Sequence, residues 1–443
     1  MKKKRSFRII RLVAALLFLI VFGFAFSGIA PWAAEFMHCQ FGPAAASLIG
    51  GFSFGAAAVV ISISLLTLIF GRFYCAVFCP LGIFQDVIIN IFARKKRHIP
   101  NPVILRYTFG AVVYGMLFAG WNVGFWLLEP YTLSGRFIMM SSAAWLIAFL
   151  ILFMSAWKKR LFCISLCPVG TLLGLIAKVG ICRLRLTGKC VKCSRCADLC
   201  PAGCIDVQKG IIDNERCVRC MDCIAACPVD AITFDKKRAE IEFTLERRKF
   251  LKKSAVLFAG GIAGGIIAGK TVAALGRFCE RKKILPPGAG NFFRFSRKCT
   301  ACQLCTANCP SRIIVPDGVT GKVALDLDKG FCRSDCTLCS DLCPAGALEK
   351  LSPEQKKRTK ISSALFSADK CIVFQTGENC GRCSAVCPAG AITLRRSGAP
   401  KLNDELCIGC GACMNICPGY SGKAFRMEGV EEQTEIKSIK TTK

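Results

Sequence analysis

The sequence predicts an α-helical membrane bundle of four spans plus one, joined to small cysteine-rich α+β domains. Three observations predict it. The 443 residues are 53% hydrophobic with a mean hydropathy of +0.46, and the apolar residues fall in long runs. The chain holds 32 Cys, most of them in tight groups after the apolar third. Its formal net charge is +31, gathered at the ends of the apolar runs. An ordinary soluble protein and a disordered chain are excluded by the hydropathy. A short disulfide-stapled secreted scaffold is excluded by the length.

Five apolar stretches, 12–30, 44–70, 103–128, 137–157 and 254–275, are long enough to cross a bilayer, which takes ~20 residues. Lys2, Lys3, Lys4, Arg5, Arg8 and Arg11 precede the first. Arg72, Arg94, Lys95, Lys96, Arg97 and Arg106 lie between the second and third, and Lys158, Lys159 and Arg160 follow the fourth. The two opposite loops hold only Arg136. Positive residues stay inside, so both ends of the bundle face the cytoplasm. The first stretch lacks a small-residue cleavage site before Pro31 and reads as a membrane helix rather than a signal peptide. Basic residues placed at span ends argue against nucleic acid as a partner.

The expected organisation follows. Residues 1–181 form the bundle and 182–245 a first cysteine-rich domain. Residues 246–290 carry the fifth span and a linker, 291–426 form a second cysteine-rich domain, and 427–443 form a polar tail.

Six cysteine quartets account for 24 of the 32 Cys. Four have the spacing C-x2-C-x2-C-x3-C-P: Cys190, Cys193, Cys196 and Cys200; Cys217, Cys220, Cys223 and Cys227; Cys299, Cys302, Cys305 and Cys309; Cys407, Cys410, Cys413 and Cys417. Cys332, Cys336, Cys339 and Cys343 open with three intervening residues, and Cys371, Cys380, Cys383 and Cys387 with eight. Each quartet ends in Pro. A [4Fe–4S] cube needs four soft thiolates, three of which a tight loop can supply. Zinc would use two separated pairs rather than a run of four followed by Pro. The residues after the last Cys recur as C-P-x-x-A-I at Cys227–Ile232 and Cys387–Ile392. Both cysteine-rich regions thereby resemble bacterial two-cluster ferredoxins. That resemblance implies cross-ligation in the first pair: Cys190, Cys193 and Cys196 with Cys227, and Cys217, Cys220 and Cys223 with Cys200. In 291–426 the pairing is open between sequential and nested.

Eight Cys remain. Cys204 stands at the Ala position of the repeat and reads as a small buried residue, while Cys39, Cys182 and Cys279 are isolated. Cys75, Cys79, Cys163 and Cys167 form two C-x3-C-P motifs, each preceded by an aromatic residue, Tyr74 or Phe162. Their duplication suggests one shared site. A redox dithiol, a metal site, a quinol-site wall and thiols that only pack helix ends all stay open. Haem is excluded: there is no C-x-x-C-H, and the two His, His38 and His98, are expected on opposite faces. Glu35 and Glu129 near the outer face are candidate proton acceptors, with an interfacial role as the plainer reading. No catalytic residue is nominated.

Arg247-Arg248-Lys249-Phe250-Leu251-Lys252 looks like a twin-arginine export motif. Its weakly apolar, Gly-rich sequel fits that class, and export of a pre-folded cluster domain explains the need. Residues 1–235 resemble NapH-like membrane ferredoxins, and 245–426 resemble NapG-like twin-arginine ferredoxins, as if fused. MauN/MauM-like and NosR-like proteins share pieces of the design. The resemblance implies six [4Fe–4S] clusters, room for a bound quinone, and a place in the bacterial inner membrane. In that reading 182–245 is cytoplasmic and 291–443 periplasmic. It implies quinol oxidation, as by a quinol dehydrogenase subunit, with delivery to a periplasmic reductase or cytochrome. The alternative is a redox maturation or regulatory factor for a metalloenzyme.

Overall fold

The computed structural model describes residues 2–92, 103–118, 123–140, 144–235, 283–317 and 321–436, with four single positions between 256 and 263. The twin-arginine-like run 247–252 and nearly all of the fifth apolar stretch lie outside the described residues. The chain divides into two compact units, Met1–Phe24 with Phe36–Gly269 and Ala25–Glu35 with Lys270–Lys443.

Among the described residues the first unit is mostly helical up to Lys178. Its main helices are α1 (Lys2–Ser27), α2 (Phe41–Gly50), α3 (Phe54–Phe70), α4 (Tyr74–Val77), α5 (Pro80–Phe92), α6 (Val103–Phe118), α7 (Pro130–Ile138), α8 (Ala144–Lys158), α9 (Leu161–Ser165) and α10 (Pro168–Lys178). Among the described residues, one helical stretch, Phe7–Ser27, is long and apolar enough to cross a membrane; the other apolar helices are shorter. Four continuous spans were expected, and the structure breaks two of the stretches. Stretch 44–70 is interrupted at the Gly50-Gly51 pair, where helix is entropically costly, and α3 restarts after an extended Ser53. Stretch 137–157 is divided because α7 ends at Ile138 and Met140 turns left-handed (φ 48°) before α8 begins. In stretch 103–128 the described residues are helical over Val103–Phe118 and Val123–Leu128. Apolar side chains cover the outside: Leu65, Phe153 and Trp157 are 53–59% exposed.

The cysteine-rich end of this unit is two small antiparallel pairs. β1 (Arg183–Leu186) pairs with β4 (Ile232–Asp235) in the register Leu184↔Phe234, and β2 (Ile205–Asp206) pairs with β3 (Ile211–Ile212). The expected boundary at 181–182 is not a linker. The Ile181 and Cys182 amides donate to the Leu68 and Ile69 carbonyls at 2.8 and 3.1 Å, and one hydrophobic core runs from Phe41 to Ile232.

The second unit has its own core, including Phe295, Leu325, Ile361 and Phe425. Its strand pairs are β5 (Ile314–Pro316) with β6 (Val323–Leu325), β7 (Thr359–Phe366) with β10 (Phe425–Glu435), and β8 (Ile392–Leu394) with β9 (Pro400–Leu402). Residues 427–435, expected as tail, are therefore strand. Their polarity reflects a two-stranded ribbon with one face in water, while Met427 on the other face is buried.

Candidate metal centres

The cysteine loops share an unusual backbone. In the first quartet Lys192 and Ser194, flanking the middle Cys193, have φ of 53° and 61°. Arg219 and Met221 flank Cys220 in the same way, Ala301 and Gln303 flank Cys302, and Gly409 and Gly411 flank Cys410, all with positive φ. A left-handed non-glycine residue costs roughly 1–3 kcal/mol and persists only where surroundings over-determine it. Here it curls the chain so that successive N–H groups line a concavity, an arrangement that binds anionic sulfur.

Into each concavity comes one thiol from a neighbouring motif. Cys227 joins Cys190, Cys193 and Cys196 around one hollow. Cys200 joins Cys217, Cys220 and Cys223 around another. In the second unit Cys309 joins Cys332, Cys336 and Cys339, Cys417 joins Cys371, Cys380 and Cys383, and Cys387 joins Cys407, Cys410 and Cys413. Cys343 is the electrostatic neighbour of Cys299, Cys302 and Cys305. Motifs therefore exchange their fourth cysteine with the adjacent motif, and the pairing in 291–426 is sequential, not nested. The positions three residues beyond the fourth Cys, Gly203, Asp230, Arg312, Gly346 and Gly390, also have positive φ. They turn the chain away once the thiol has been delivered. Backbone N–H groups then reach the sulfurs: Ala231 to Cys227 at 3.2 Å and Ala424 to Cys417 at 3.4 Å.

No three His, Cys, Asp or Glu side chains among the described residues converge tightly enough for a single metal ion. Spread sulfurs around a cavity suit a multi-iron core instead, so the donor sets fit [4Fe–4S] clusters and not zinc.

Cys204, read from sequence as a small packing residue, lines the cavity of Cys200 and Cys217, with its sulfur 3.4 Å from Cys200 Sγ. Hydrogen bonding from Cys204 holds the Cys217 thiol down at about 6, against the opposing effect of burial and with help from Arg219. Hydrogen bonding to Cys200 and Cys217, with burial, pushes the Cys204 thiol up, which suits it to donate to its neighbours, while thiolate is the metal-binding form. No spacing signal announces this, because Cys204 lies outside the quartet.

The other singled-out residues separate. Glu129 is 1% exposed and caps α7, accepting from the Tyr131 and Thr132 amides at 3.1 and 2.6 Å. That is a structural role. Cys39 is exposed and Cys182 is buried. Cys75, Cys79, Cys163 and Cys167 are all buried in one core.

Comparison with known proteins bears on these sites. A 4Fe-4S dicluster domain model matches residues 189–231, and a second matches 378–421. A 4Fe-4S binding domain model matches 297–318, and another matches twice, at 52–100 and 138–187. Ferredoxin-type protein NapF of Escherichia coli K12 is 33% identical over 30% of this chain and 80% of its own length. The chain belongs to the NapF family of ferredoxin-type proteins. It is an iron–sulfur, ferredoxin-type electron-transfer protein. This NapF relative is also 30% identical to ferredoxin-type protein NapH of E. coli K12, over 32% of the chain and 52% of NapH. It is 30% identical to the methylamine utilization ferredoxin-type protein MauM of Methylorubrum extorquens, over 31% of the chain and 69% of MauM. No solved structure matches it.

Proposed function

We propose that this chain is a membrane-bound relay that passes single electrons from quinol through six [4Fe–4S] clusters to a periplasmic reductase or carrier. The observation that carries it is the set of six thiol groupings, each built from three cysteines of one loop and one of its neighbour. Such clusters supply one-electron chemistry when bound. The chain's part is to hold them, exclude water and bias their potentials. Buried cations serve the last purpose: Arg219 is 1% exposed beside Cys217, and Lys356 is 1% exposed beside Cys332.

The membrane reading rests on the 21-residue stretch Phe7–Ser27, about 31 Å of helix, and on the apolar exterior of the short helices. Arg8 pairs with Asp222 at 2.8 Å, which supports placing 182–245 on the side of the basic N-terminal residues, the cytoplasm. The twin-arginine-like motif supports export of 291–443, and the NapH and MauM likenesses support a fusion of a NapH-like half with a NapG-like half.

The test uses the full chain, purified anaerobically in lipid. Menaquinol should bleach the cluster absorbance and produce the EPR signals of reduced [4Fe–4S] centres. Clusters that stay oxidised under excess quinol of suitable potential overturn the relay. An alkaline-phosphatase fusion after Leu285 should be active, and an inactive one puts every cluster in the cytoplasm.

A further inference from the structure

The two C-x3-C-P motifs belong to longer copies. Arg72-x2-Cys75-x3-Cys79-Pro80-x-Gly82 recurs as Arg160-x2-Cys163-x3-Cys167-Pro168-x-Gly170. The copies interlock in the first unit. Arg72 Nη2 donates to the Cys163 carbonyl at 3.2 Å, and Arg160 Nη1 donates to the Cys75 carbonyl at 3.0 Å. Each arginine thus orients the other copy's first cysteine. A Cβ on Gly82 would meet the Cys75 carbonyl oxygen at 2.5 Å, and one on Gly170 would meet that of Cys163 at the same distance. Glycine is what lets the loops close this tightly.

The second cysteines head helices. Cys79 Sγ accepts from the Gly82 amide at 3.4 Å, at the start of 13-residue α5. Cys167 Sγ accepts from the Gly170 amide at 3.2 Å, at the start of 11-residue α10. Both sulfurs sit where a helix N-terminus favours thiolate. Cys79 is the electrostatic neighbour of the other three thiols.

Charge decides among the uses left open by the sequence. Arg72 and Arg160 are 0% exposed and Arg11 is 5% exposed. Asp86 pairs with Arg11 at 3.1 Å and with Arg160 at 2.7 Å. Arg72 faces carbonyls and, at 3.9 Å, Cys75 Sγ, and its Nε has no partner in the described structure. Three guanidiniums against one carboxylate leave a formal excess of two positive charges beside four thiols. Neutral packing thiols, disulfides and a quinol wall would each leave that excess opposed only by the neighbouring site of Cys200 and Cys217. An iron–sulfur core near +2 with four thiolates carries about −2 and balances it. A mononuclear metal tetrathiolate would balance it too, but the single-ion geometry is absent.

We propose that Cys75, Cys79, Cys163 and Cys167 together hold one further iron–sulfur cluster, shared between the two copies. The domain model that matches 52–100 and 138–187 spans both motifs without naming ligands. One centre built across both copies is what the interlocking assigns. The new centre adjoins the cavity of Cys200 and Cys217. The Arg160 amide donates at 3.1 Å to the carbonyl of Pro201, the residue after Cys200, and Arg72 is an electrostatic neighbour of Cys217.

The test is iron and acid-labile sulfide per chain in full-length protein purified anaerobically. Cys79→Ser/Cys167→Ser should lose two or four irons relative to wild type, according to cluster type, while the EPR signals of the ferredoxin-type clusters persist. Equal iron in the two proteins overturns the proposal. Should that variant fail to fold, wild type answers alone. Its four thiols should resist alkylation until iron is chelated and then react; alkylation at the same rate before chelation, or disulfide-linked peptides, overturns it. The iron count does not depend on quinol as donor, so this proposal and the relay fail separately.

Discussion

The sequential exchange of cysteines makes a sharp prediction for Cys309→Ser. Cys309 ends the third quartet, yet its sulfur lines the cavity of Cys332, Cys336 and Cys339. Its loss should remove the cluster of the next motif and leave its own loop's cluster intact. Each [4Fe–4S] site holds about four irons, so the six ferredoxin-type sites hold about 24 and the variant loses about a sixth of them. Pairwise combination gives the discrimination. Cys309→Ser with Cys336→Ser strikes one cluster twice and should lose about four irons, no more than either alone. Cys309→Ser with Cys302→Ser strikes two clusters and should lose about eight. The assay is iron and acid-labile sulfide per chain on anaerobically purified protein, with EPR spin counting as a check. Had the motifs been nested, Cys309 would complete the set of Cys407, Cys410 and Cys413. About four irons lost from Cys309→Ser with Cys410→Ser, and about eight from Cys309→Ser with Cys336→Ser, would refute the pairing.

Four further outcomes are expected. Lys356→Met removes a buried cation beside Cys332 and should lower one cluster's midpoint potential by about 60 mV, the equivalent of ~1.4 kcal/mol for one electron; an unchanged redox titration speaks against it. Asp86→Asn strips Arg11 and Arg160 of their shared carboxylate and should destabilise the first unit by about 3–5 kcal/mol, read as a lower Tm in detergent. Gly170→Ala places a methyl 2.7 Å from Arg72 Nη2 and should cost about 1–3 kcal/mol in the same melt, whereas alanine at Gly55, with nothing within 4 Å, should not. Removing iron by chelation should abolish cooperative unfolding of the second unit, because its described sheets are two-stranded and thiols make up much of its core; a retained sharp transition would show a fold independent of metal.

The cluster loops were legible because their chemistry is local. Three thiols in a short loop, Cys407, Cys410 and Cys413 for instance, are close in space whatever the rest of the chain does. The paired Gly409 and Gly411 even write the left-handed turns into the sequence, although Lys192 and Ser194 adopt the same turns with nothing in the sequence to mark them. Cys204 is buried, as expected, but its contact with Cys217 was not legible, because that partner is thirteen residues away and is reached only after the chain turns back. Broken helices were missed because hydropathy adds up residues without noticing that Gly50-Gly51 cannot hold helical backbone cheaply. The 427–435 strand was missed because its apolar partner, β7, lies some sixty residues upstream.

By itself, then, the sequence determined the number of soft-ligand loops, the chemistry they suit and the apolar character of the first third. These depend on spacing within a few residues and on composition. Tertiary structure decided which loop completes which cavity, and that two distant C-x3-C-P copies meet with Arg72 and Arg160 crossed between them. Those are contacts across tens of residues, set by how helices and ribbons pack. No local pattern encodes them, because the same motif can deliver its fourth cysteine to any neighbour the fold brings near.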